Sequence, residues 1–175
     1  ATGVGAGIGL TGNSGTVAFN NTGNGLDIVT ATGTGFSASG GGTVTVQGSS
    51  NTISSPNATA LSVNGTTIGS SALLFQRVSS GNNDGGADPV NGIVLINTGN
   101  LGGLTITGAG TADSGGIIAS STGSAIVATN TQDLNLAWMS ILNPSNHGII
   151  ATDLPGVNSL SDSKVSGFGA GLGNT

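Results

Sequence analysis

At 175 residues, with 35% hydrophobic and 5% charged residues, the chain belongs among those that fold rather than those that stay disordered. Its net charge of −5 rests on seven Asp against Arg77 and Lys164 alone, which leaves no basic surface for a nucleic acid. The absence of Cys excludes a disulfide framework and thiolate metal sites, and no apolar run reaches the roughly 18 residues of a membrane-spanning helix.

Gly occurs 34 times among many Thr, Ser and Asn, whereas only four Phe, one Trp and no Tyr are present. That combination predicts a turn-dense all-β fold with an aliphatic core, in one domain over residues 1–175. The opening Ala1–Leu10 lacks the basic start and sustained apolar run of an export signal, as expected of a mature product or an excised piece.

Along the chain, short apolar segments recur. A first type of strand is predicted at Leu26–Ile28, Leu61–Val63, Ile93–Leu95, Ile126–Ala128 and Ile149–Ala151, with starts 35, 32, 33 and 23 residues apart. A second type follows at Thr43–Gly48, Leu73–Val78, Leu104–Gly108 and Leu134–Trp138. Its alternation predicts Val44, Val46, Leu104 and Ile106 inward and Thr43, Thr45, Thr105 and Thr107 outward. A weaker third type is predicted at Asn51–Ser54 and Gly115–Ile118.

Three short strands per turn of chain, joined by Gly, Ser and Asn, describe a right-handed parallel β-helix, a solenoid of about five rungs and roughly 25 Å in height. Asn97, Asn130 and Asp153 each fall four residues after the start of a first-type strand, and are predicted to stack as a turn ladder that satisfies backbone groups. The rival fold, a β-sandwich, lacks evenly spaced hairpin signals here.

The segments quoted above, together with Gly65–Gly69 (GTTIG), resemble the β-helical repeat regions of very large bacterial secreted or surface proteins of the adhesin-like, β-strand repeat kind. The resemblance runs from about Leu26 to Phe168. It implies an extracellular or cell-surface location and a stalk or display role.

Chemistry is sparse. Asn130-Thr131-Gln132-Asp133 and Asn146-His147-Gly148 are similar to two motifs of β-helical pectin hydrolases, but Gln132 interrupts the first and Asn146 replaces a Gly in the second. Neither a paired-Asp nor a basic substrate motif accompanies them. An inverting mechanism needs two carboxyl groups about the sugar, and Asp133 and Asp153 read more simply as turn residues. A lyase of the pectate lyase type would need a base, and Arg77 and Lys164 have no acidic cluster beside them in the sequence. No catalytic residue and no cofactor are therefore expected, and the chain reads as a non-enzyme.

Asp84 and Asp88, in the Gly81–Gly92 loop with Asn82, Asn83 and Asn91, are the calcium candidates; an ordinary solvated insertion is the reading kept ahead of it, since the spacing is not that of an EF-hand. Strict alternation places Trp138 inward with Leu134 and Leu136, while an outward ring would offer a glycan contact. Outward Thr rows invite an ice-binding reading, but Leu73–Val78 and Leu134–Trp138 break the array. The sequons at Asn20, Asn57 and Asn64 are expected by chance in such a composition. The expected partners are further copies stacked end to end, or the continuation of a longer solenoid, with glycans as the alternative and no membrane insertion. Few Lys and no Glu are present to discourage strand-edge pairing.

Overall fold

The computed structural model describes residues 6–82, 84 and 88–167, and these form eighteen strands with no helix among them. The strands recur in threes. A first sheet contains β1 (Ile8–Thr11), β4 (Phe36–Ser39), β7 (Leu61–Asn64), β10 (Ile93–Gly99), β13 (Ile126–Thr131) and β16 (Ile149–Thr152). A second contains β2 (Thr16–Asn20), β5 (Thr43–Gln47), β8 (Thr67–Phe75), β11 (Leu104–Ile106), β14 (Leu134–Ala137) and β17 (Ser159–Ser161). The third contains β3 (Asp27–Val29), β6 (Thr52–Ser55), β9 (Arg77–Ser80), β12 (Gly116–Ala119), β15 (Met139–Leu142) and β18 (Lys164–Ser166).

Each strand pairs in parallel with its counterparts in the neighbouring rungs, so the chain is a parallel β-helix. Six strands in each sheet make six rungs, in keeping with the expected solenoid of about five. The Leu26–Ile28 segment is not a first-sheet strand: Asp27–Val29 pairs with Thr52–Ser54 in the third sheet. Its place is taken by Ile8–Thr11 and Phe36–Ser39, whose inward residues are diluted by Gly, Ser and Ala. The Leu73–Val78 segment is likewise two strands, with Gln76 at the corner between β8 and β9.

Inward residues stack in columns because a parallel ladder in constant register places like positions about 4.8 Å apart. In the first sheet Ile8, Phe36, Leu61, Ile93, Ile126 and Ile149 lie on one another. Val46, Leu73, Leu104 and Leu134 do so in the second. The interior members are fully buried, and each such aliphatic side chain contributes about 1.5–3 kcal/mol. The core is not purely aliphatic. Phe19, Phe36 and Phe75 form an edge-to-face chain with ring centroids 5.7 and 6.4 Å apart. Val44 and Val46 face inward as expected, but Thr45 is also covered, because the irregular segment of β8 brings Gly69 over its methyl group.

Corners are where the sequence is most constrained. The exit from the first sheet is made by Gly12, Gly40, Gly65, Asn97, Asn130 and Asp153, with φ between 49° and 76° in every case. Gly, Asn and Asp tolerate this left-handed region best. Between β5 and β6, the fully buried Asn51 acts as an internal staple. Its Nδ2 donates to the carbonyls of Gln47, Gly48 and Leu74, and its Oδ1 accepts from Asn21 Nδ2 at 2.9 Å and from the Leu26 N–H at 2.8 Å. Elsewhere rungs approach so closely that no side chain fits: a Cβ on Gly103 would lie 1.8 Å from the Gln132 carbonyl oxygen.

Two stability outcomes follow from these contacts. Asn51→Ala leaves several buried backbone groups unpaired, and urea unfolding is expected to show a loss of about 3–5 kcal/mol. The comparable Asn158, which bonds Leu134, Leu154 and Pro155 but is exposed, should cost under about 1.5 kcal/mol when changed to Ala, because water replaces its bonds. Gly103→Ala forces rungs four and five apart and should cost about 2–4 kcal/mol in the same assay; an unchanged midpoint would contradict the close approach.

Candidate functional site

The predicted ladder residues are exposed and lie in one column at the exit of the first sheet. Asn130 Nδ2 donates to Asn97 Oδ1 at 3.1 Å. In the next rung Asp153 accepts the Thr131 N–H through its backbone carbonyl, at 3.3 Å. Immediately inside them, Thr98 and Thr131 are fully buried, with their hydroxyl oxygens 3.1 Å apart. Sequence reasoning missed this Thr pair, although the repeated Asn-Thr at 97–98 and 130–131 carried it. It also missed that Gly12, Gly40 and Gly65 extend the column to all six rungs.

Asp133 is committed to turn structure. Its Oδ1 accepts the Val157 N–H at 2.7 Å and its Oδ2 accepts Gln132 Nε2 at 3.0 Å, with φ at 51°. His147 is exposed and its Nδ1 lies 3.3 Å from Ser124 Oγ. The two motifs similar to those of pectin hydrolases thus engage turn and hydroxyl partners.

In the Gly81–Gly92 loop, Asn82 Nδ2 donates to Asp84 Oδ2 at 3.0 Å, and the Asp84 N–H donates to Asn82 Oδ1 at 3.2 Å. Asp88 Oδ1 is withdrawn from solvent with no hydrogen-bond partner among the described residues. Asn83 lies outside the described residues. Among the described residues no three His, Cys, Asp or Glu side chains gather as they would around a metal ion.

Trp138 departs from strict alternation. It occupies the corner between β14 and β15 with φ at 59°, so the chain rotates there and Met139, 1% exposed, takes the inward place. The Trp138 side chain is half-buried and lies against Gly108 of the neighbouring rung, where an added Cβ would meet its Cβ and Cδ1 at 2.7 Å.

Both cations lie on the third sheet: Arg77 opens β9 and Lys164 opens β18, and both are exposed. Shallow grooves flank them. One is lined by Ser54, Arg77, Ser79, Asn82 and Ile117, the other by Asp113, Ser140, Asp162 and Lys164. Asp113 Oδ1 accepts the Ser140 hydroxyl in the second. No protein family, curated protein or solved structure matches the chain.

Proposed function

We propose that the chain is a non-enzymatic structural module of the extracellular or cell-surface kind, a β-solenoid segment built to be extended by further rungs into a stalk or filament. The observation that carries this reading is the state of rung six. Ala151 and Leu160 occupy inward columns and are exposed, Leu160 at 45%, whereas their neighbours one rung inward, Ala128 and Leu136, are 0% and 1% exposed. The edges of β16, β17 and β18 each have a partner on one side only among the described strands. Unpaired parallel edges with apolar columns behind them accept another rung. The occupant in this reading is a second copy of the chain, stacked end to end. A display surface for glycans is the second reading, favoured by the grooves on the third sheet rather than by Trp138.

Sedimentation over a hundredfold concentration range tests the leading reading. The mass is expected to grow from 16.5 kDa into an open-ended series, and Leu160→Asp, which places a charge in the stacking column, should hold the chain at the monomer. A constant mass near 16.5 kDa for the unaltered chain would overturn self-assembly through the ends.

A further inference from the structure

We propose that the groove on the outer face of the third sheet, at rungs two to five, is a binding site for the carboxylate of an acidic sugar, with Arg77 as the anchoring residue. This rests on the second functional reading and is independent of end-to-end assembly.

The groove encloses about 380 Å³, within the range of small-ligand sites. Its floor is the outward column of Ser54, Ser79 and Ile117, which β6, β9 and β12 bring into line. Pro56 and the Gly81–Asn82 turn form one rim, Arg77 stands on the other, and Ala119 and Leu142 close the far end. Along this face β9 and β12 share a single paired position, Ile118 with Ser80. Beside that pair, the Ile117 N–H donates to the Ser79 side-chain oxygen at 3.2 Å.

The same Ser79 oxygen accepts Arg77 Nε at 3.2 Å. That bond, between residues two apart on β9, lays the guanidinium along the strand and leaves its two terminal amino groups for a ligand. No carboxylate lies within ion-pair distance of Arg77 among the described residues, and the groove lining contains no acid; Asp84, two residues beyond the lining residue Asn82, bonds with Asn82. An unpaired guanidinium with Nε already held presents a fork that matches a carboxylate in two parallel bonds. In a chain of net charge −5 with two cations, it is also the one strong anion contact in this groove.

The remainder of the lining selects a sugar over other carboxylates. Ser54 offers a hydroxyl for exchange with ligand hydroxyls, while the half-buried Ile117 on the floor and Leu142 at the far end offer apolar surface for the C–H face of a pyranose ring. A peptide fits less well, because third-sheet strands are bonded on both sides through rungs two to five and offer no long free edge for strand addition.

The test is a titration of the isotope-labelled chain with sodium glucuronate, with glucose and sodium acetate in parallel, at low salt. Saturable amide shifts at Ser54, Ser79 and Ile117 are expected for glucuronate, with at least tenfold weaker binding of glucose and of acetate. Arg77→Gln should lower glucuronate affinity at least tenfold while leaving first-sheet amides unmoved, which shows that the solenoid is intact. Arg77→Lys, which keeps the charge and loses the fork, should lie between the two. Equal binding of glucose, full affinity for acetate, an unchanged Arg77→Gln variant, or no saturable shift at millimolar glucuronate would each overturn the proposal. None of these outcomes bears on the sedimentation result, so the two readings fail separately.

Discussion

In each rung a residue with positive φ stands at the same place where the chain leaves the first sheet, and these six residues form a column from Gly12 to Asp153. A left-handed residue turns an extended chain sharply while leaving the strands on either side in register, so the ladder repeats without accumulating offset. The buried columns depend on that constancy. If one rung slipped by one residue, its inward and outward side chains would exchange places, and Leu61 or Ile93 would face water. The change from Gly in the first three rungs to Asn and Asp in the last three adds side-chain bonding, as between Asn97 and Asn130, to a turn that Gly makes through its backbone alone.

Legibility in the sequence tracked the contrast between neighbouring residues. Ile93-Val94-Leu95 and Leu104-Thr105-Ile106 announce strands because large inward residues alternate at a fixed interval, and both are strands of the solenoid. Ile8-Gly9-Leu10 and Phe36-Ser37-Ala38 are strands of the same sheet, yet small residues blur their periodicity, and so rungs one and two were misaligned. The 35-residue interval from Leu26 to Leu61 crosses between sheets; the true steps run from Ile8 to Phe36, 28 positions on, and from Phe36 to Leu61, 25 positions on. Trp138 failed for a different reason. Alternation holds only while φ stays negative, and the corner at Trp138 resets it.

At the level of side-chain chemistry, local sequence was a poor guide. Asn51 read as an unremarkable start to a weak strand, but five hydrogen bonds converge on it from Asn21, Leu26, Gln47, Gly48 and Leu74. Those partners lie up to 30 positions away. Arg77 and Ile117 are separated by 40 positions and meet around one Ser hydroxyl only because rungs three and four coincide. A solenoid converts sequence period into spatial adjacency, so any groove on its side draws residues from several rungs.

Register also sets the order in which the strands would come apart under an applied pull. First-sheet strands step along the chain by 23 to 33 positions, from Ile126 to Ile149 at the shortest and from Ile93 to Ile126 at the longest. Each rung contacts only its neighbours. Tension applied along the chain therefore meets one rung's bonds at a time, and peeling a rung pays out roughly 80–110 Å of slack at about 3.4 Å per residue. A stack of this kind is a mechanical spool: it dissipates a pull in successive steps, and the rungs that have not yet been reached keep their shape.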